Sequence, residues 1–113
     1  MAGLVLGLML LGSQASASHA VDLSVSPLVS LGPTTLHVQV RVFPDASNRW
    51  LFVALDGGGF YTSETWELEG LDARVLYVTA WKDVPEGEYV VTAELAGARG
   101  GIRATDRQRV LIQ

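Results

Sequence analysis

The chain contains no cysteine and two histidines, His19 and His37. Without a thiol there is no cysteine nucleophile, no Cys/His zinc site and no disulfide to restrain the unfolded state. A serine nucleophile would need a base. His37 falls mid-strand on a polar parity and no Gly-x-Ser-x-Gly elbow occurs, so it reads as a surface residue rather than a general base. Basic runs are missing too. The formal net charge is −4, with acids and bases interspersed after residue 20. This excludes a basic stripe for nucleic acid and a polybasic segment for anionic lipid. No loop gathers the several acids that calcium requires. Asp56-Gly57-Gly58-Gly59 is followed by neither Lys-Ser/Thr nor a helix, so it reads as a hairpin turn and not a phosphate cradle. None of these absences leaves a place for a cofactor, and none is expected.

Long apolar runs are also lacking. The block from Leu4 to Leu11 is uncharged and is followed by small residues in Ala-x-Ala order. Its length is under half of the roughly 20 apolar residues a spanning helix needs, so it reads as a secretory signal peptide over residues 1–20 and not as a permanent anchor. Ala15/Ala17 and Ser18/Ala20 both satisfy the small-residue rule of signal peptidase, which places the cut after Ala17 or Ala20. One departure is that no Lys or Arg precedes Leu4. Removing 20 of the 113 residues leaves 93, one small domain, in residues 21–113. The expected location is secreted or periplasmic, in a bacterium, with no stable membrane insertion after cleavage.

What the mature region does have is alternation of period two, with no window of helical spacing. The expected strands are Asp22 to Ser26, Thr35 to Phe43, Trp50 to Leu55, Phe60 to Glu69, Ala73 to Trp81, Glu88 to Leu95 and Ile102 to Ile112, the last interrupted near Asp106. Leu36, Val38, Val40 and Val42 share one face of the second strand, while His37, Gln39 and Arg41 share the other. The third strand is apolar on both parities, as in a central strand whose outer face is partly covered. Seven strands spaced roughly every 8 to 12 residues predict an all-β sandwich of two antiparallel sheets.

Aromatics offer the one functional option. Tyr61, Trp66, Tyr77 and Trp81 lie on adjacent predicted strands. Rings sharing an outer face would form a platform for a sugar or peptide, with Tyr61 and Trp66 as the ligand-binding pair. The competing reading puts Trp66, Tyr77 and Trp81 in the core, since their parity partners are apolar, and leaves Tyr61 as the ring most exposed. Carboxylates recur at i, i+2 in Glu67/Glu69 and Glu86/Glu88, a spacing usual for solubilising charges on a strand edge.

Trp50 on the third strand and Pro85-x-Gly87-x-Tyr89 before the sixth give the mature chain a likeness of wider scope. It resembles bacterial immunoglobulin-like and fibronectin type III-like domains. That resemblance implies that Trp50 fills the core centre and that the Tyr89 hydroxyl bonds back to backbone at a corner. At the amino end, Ser18-His19-Ala20-Val21-Asp22 looks like the mature start of CopC-type periplasmic copper-binding sandwiches. This implies His19 as a metal ligand, although the downstream Asp-x-His of those proteins is missing. The function expected from the sequence is a non-enzymatic immunoglobulin-like binding or structural module of the envelope. It would be a monomer whose partner is an envelope protein or polysaccharide, and a copper-binding protein is the alternative.

Overall fold

The computed structural model describes residues 20–113. The expected signal peptide, its cleavage sites and His19 lie outside the described residues. Eight strands are present: β1 Val21–Ser26, β2 Val29–Ser30, β3 Thr34–Val42, β4 Trp50–Gly57, β5 Phe60–Glu67, β6 Leu76–Val84, β7 Gly87–Ala96 and β8 Ile102–Ile112. A 3-10 turn at Gly70–Asp72 joins β5 to β6. The strands form a three-stranded sheet in the order β1-β3-β6 and a five-stranded sheet in the order β2-β8-β7-β4-β5. All pairs are antiparallel except β2 with β8, which makes the larger sheet mixed. Among the described residues no helix is long and apolar enough to cross a membrane.

The described residues are therefore all-β, with eight strands where seven were expected. The additional strand is the two-residue β2, lying between Pro27 and the Gly32-Pro33 turn. It is too short to show any alternation. Its pairing is nonetheless specific: Val29 lies opposite Leu111, the Leu111 N–H donates to the Leu28 carbonyl and the Gln113 N–H to that of Ser30, both at 2.8 Å. The strand expected from Ala73 to Trp81 is displaced toward the carboxyl end. Ala73 to Val75 are occupied in leaving the 3-10 turn, and pairing continues to Val84 beyond Asp83, which has φ 56°. The last strand is not interrupted at Asp106, which pairs with Ala93 in an unbroken ladder from Gly87 to Leu95.

One core fills the space between the two inner faces. From the small sheet come Leu23, Leu36, Val38, Val40, Tyr77 and Trp81, and from the large sheet Leu51, Val53, Leu55, Tyr89, Val91 and Leu95. Trp50 is not among them, contrary to the expected core-centre tryptophan. Strand β4 is apolar on both parities, so either could face inward. The structure turns Leu51, Val53 and Leu55 in, each at 0% exposure, and leaves Trp50 half-buried and Phe52 exposed on the outside. Trp81, reaching in from β6, is the buried tryptophan. Its Nε1 has no hydrogen-bond partner among the described residues.

Turn chemistry holds the ends of the large sheet together. The Tyr89 hydroxyl donates to the Pro85 carbonyl at 2.8 Å, and burial raises the phenol above its ordinary pKa of 10.0. Gly57 is needed where β4 leaves the sheet. A Cβ there would stand 2.1 Å from the Glu88 carbonyl oxygen. The opposite end is organised by Asn48, which is 1% exposed. Its Nδ2 donates to the Phe43 carbonyl at 3.0 Å, its Oδ1 accepts from Arg103 Nη1, and its backbone carbonyl accepts from Gly70 N–H at 3.1 Å. Arg103 also pairs with Asp45 at 3.3 Å. The backbone N–H of Ser47 bonds the Asp45 carboxylate and is the main cause of its lowered pKa, with Arg103 adding to it.

An unpaired strand edge invites association, and β1 is such an edge. It is covered from the facing sheet: the Leu23 N–H, pointing away from β3, donates to Asp106 Oδ2 at 2.8 Å.

Candidate functional site

The outer face of the five-stranded sheet carries the arrangement with most chemical capability. On β4 the outward parity reads Trp50, Phe52, Ala54, Asp56. The Trp50 and Phe52 rings lie 6.5 Å apart at their centroids, with 17° between their planes, a near-parallel stacked pair on the outside of the sheet. Cross-strand register sets their neighbours. Trp50 is opposite Glu67 on β5 and Ala96 on β7, while Phe52 is opposite Thr65 and Glu94. Thr105 of β8 continues the Glu94 row. Beside Trp50 opens a groove of about 370 Å³, lined by Arg49, Trp50, Glu67, Leu68, Glu69 and Ala98. The Arg49 guanidinium is turned to the loop carbonyls of Ala46 and Asn48, at 2.6 and 2.7 Å.

A partly exposed aromatic pair with acceptors beside it is suited to a ligand that offers C–H groups to a ring face and hydroxyl or N–H groups to the sides. The ring face is the negative end of the aromatic quadrupole and favours polarised C–H and cationic groups. The hydroxyls of Thr65 and Thr105 and the carboxylates of Glu67 and Glu94 supply the polar contacts that fix orientation.

Tyr61 and Trp66 are not brought together. They sit at odd and even positions of β5 and hence on opposite faces. Tyr61 is 63% exposed and shares the outer face with Trp50 and Phe52. Its partner is Asp56, four residues along β4 from Phe52, which places it about 14 Å from that ring. Trp66 turns inward, is half-buried, and packs at 5.5 Å against Tyr77, over which Arg74 lies at 4.9 Å. It is unavailable to an outer platform. Phe52 is the residue that sequence reasoning missed. A signal existed in β4: its two rings, at 50 and 52, occupy one parity and its branched aliphatics, at 51, 53 and 55, the other.

His37 is exposed on the outer face of the small sheet, flanked in register by Ser26 and Ala80. Among the described residues no three His, Cys, Asp or Glu side chains are placed to share a metal ion.

No family model matches the chain, and no curated protein matches it. Solved structures do share its fold. A superoxide reductase (neelaredoxin) from Ignicoccus hospitalis superposes with a TM-score of 0.58 at 14% identity, covering 84% of this chain and 81% of that one. Two single-substitution variants of that reductase superpose at TM-scores of 0.60 and 0.61, also at 14% identity, covering 84% and 89% of this chain and 81% and 86% of theirs. Likeness at this identity shows the fold alone. It nevertheless corrects three expectations. The resemblance to immunoglobulin-like, fibronectin type III-like or CopC-type families has no matching family model behind it, and the structures that share the fold carry a different name. The reading as a non-enzymatic module is overturned as well, because the solved structures named above that share the fold are superoxide reductases, which are enzymes. The copper-binding alternative gains nothing from the comparisons either.

Reduction of superoxide on this chain would need a redox-active group, and a transition metal would need His, Cys or carboxylate ligands in one place. With cysteine absent from the sequence and no such cluster among the described residues, the side chains present there do not fit such a centre. The chain shares the reductases' fold, and the comparisons assign it to no family.

Proposed function

We propose that the protein is exported and that the outer face of its five-stranded sheet binds a polysaccharide over the Trp50–Phe52 pair. The observation that carries this reading is the near-parallel pair of rings on the outside of a sheet whose inner face already holds a complete apolar core. Rings at outer positions help a sheet through cross-strand contacts. Here, however, Phe52 stays exposed and its direct neighbours are Thr65 and Glu94, not further apolar side chains. Sugar rings stack their C–H faces on such rings while their hydroxyls reach the Thr and Glu acceptors alongside. Tyr61, at the far end of the same face, would extend the surface for a longer chain.

The test is calorimetric titration of the mature protein with soluble oligosaccharides prepared from bacterial envelope polymers, followed in parallel by tryptophan fluorescence. Trp50→Ala and Phe52→Ala should each weaken binding at least about fivefold, the worth of roughly 1 kcal/mol per ring. Tyr61→Ala should weaken the longer oligomers alone. Unaltered affinity in Trp50→Ala and Phe52→Ala, or no binding by the native protein, would reduce the pair to surface packing. Export is tested by fractionating the native cell and measuring the mass of the processed chain, which should begin after Ala17 or Ala20. An unprocessed cytoplasmic chain would refute it.

A further inference from the structure

The geometry points to a saccharide bearing free amino groups as the ligand of this face, an inference that rests on the polysaccharide reading above. The aromatic pair is flanked by acids. Glu67 stands directly opposite Trp50 and Glu94 directly opposite Phe52, positions at which Cβ atoms lie about 5 Å apart. Glu69 joins Glu67 in lining the groove beside Trp50. Among the described residues Glu67, Glu69 and Glu94 make neither an ion pair nor a side-chain hydrogen bond.

Cations near this half of the face are engaged or turned aside. Arg49 is held by the carbonyls of Ala46 and Asn48, and Arg103 by Asp45 and Asn48. Arg107 and Arg109 stand on β8 opposite Thr92 and Val90, one and two rows toward the other end of the sheet, and Arg99 is exposed in the β7–β8 loop. Among the described residues the Trp50 end therefore carries acids without a free base beside them, whereas toward the other end Arg107 and Arg109 share the face with Asp56 and Glu88. Neutral sugars need acceptors but gain little from charge. An ammonium group gains from both features present, since it is attracted to the ring face and to a carboxylate beside it. A hexosamine oligomer with unacetylated amines offers ring C–H faces for stacking and a cation on each residue, matching the alternation of rings and acids along β4 and its neighbours.

Two oligomers that differ in the acetyl group alone separate this inference from its parent. Chitosan hexaose and its fully N-acetylated counterpart would be titrated into the mature protein at a pH that keeps the amines protonated. The inference predicts at least roughly tenfold tighter binding of the free amine. That preference should shrink to near unity in the Glu67→Gln/Glu69→Gln double variant, and also at about 0.5 M salt, where charges are screened within a few Å. Trp50→Ala should weaken both oligomers. Equal binding of the two oligomers by the native protein overturns the amine preference and leaves the polysaccharide reading standing. If neither oligomer binds, both readings are overturned. Chitosan binding that is indifferent to Trp50→Ala is general attraction to an acidic protein and also overturns the inference.

Discussion

Replacing Asn48 by Leu tests the polar hub that ties three connections together. Asn48 is 1% exposed, and its side chain satisfies the Phe43 carbonyl on one side and the Arg103 guanidinium on the other. Leu has the branching of Asn and a larger volume, so the change removes hydrogen bonds without leaving a cavity, and any overpacking adds to the cost. The backbone bonds at this position, from the Asn48 N–H to Asp45 and from the Gly70 N–H to Asn48, are untouched. Two side-chain bonds are lost, one of them to a charged donor. The stranded carbonyl and guanidinium then carry desolvation that was previously compensated, a loss of about 2 to 3 kcal/mol in all. For a domain of this length that lowers the midpoint by about 10 to 20 °C, a large part of a typical stability. Thermal and urea denaturation followed by circular dichroism measure it directly, and an unchanged urea slope would show that the loss is in the native state. A double-mutant cycle with Arg103→Met should return a coupling of about 1 kcal/mol or more. A midpoint within about 3 °C of the native protein would refute the hub.

Three further outcomes follow from the packing. Leu51→Ala should cost about 2 to 5 kcal/mol because the side chain is fully buried, whereas Trp50→Ala should cost under about 1.5 kcal/mol from its outer position. The reverse order in denaturation would return Trp50 to the core. Tyr89→Phe should cost about 1 kcal/mol near neutrality by removing the bond to Pro85. Because burial raises the folded-state pKa of Tyr89 above 10.0, the unfolded chain loses its proton first. The native protein should therefore lose stability as pH rises above about 10, and Tyr89→Phe should flatten that alkaline slope. An identical slope in both proteins would contradict it. Asp106→Ala uncovers the β1 edge by freeing the Leu23 N–H and should cost about 1 to 2 kcal/mol. It should also raise self-association in sedimentation, with Asp106→Asn recovering part of the loss. A monomer of native stability would show that the cap does nothing.

Where one face of a strand is apolar and the other polar, the sequence was sufficient. The inward rows Leu36, Val38, Val40, Val42 on β3 and Tyr89, Val91, Ala93, Leu95 on β7 stand as their alternation predicts. Strand β4 was ambiguous because alternation vanishes when both faces are apolar, and the expectation that a tryptophan belongs in the core resolved it the wrong way. Register decides such a strand, and register is a property of the partners: Leu51, Val53 and Leu55 lie opposite Leu95, Ala93 and Val91 on the inner face. β2 escaped notice because two residues carry no period. Asp106 and Asn48 act across 83 and 55 residues of sequence, toward Leu23 and Arg103, and no local pattern distinguishes them from ordinary polar positions. The candidate site was half legible for the same reason. Rings on β4 and β5 were visible, but which of them share a face followed from pairing alone.

On this reading, ligand meets the protein on the outer face of β4. A nitrogen–proton correlation spectrum of the mature protein titrated with chitosan hexaose tests it most directly, since the three tryptophan indoles report separately from the outer face, the inter-sheet seam and the core. The claim predicts shifts at the Trp50 indole and at the amides of Trp50 to Ala54, Thr65 to Glu67 and Glu94, with Trp81 unmoved. A spectrum that stays unchanged, or shifts that gather on β1, β3 and β6, would contradict it.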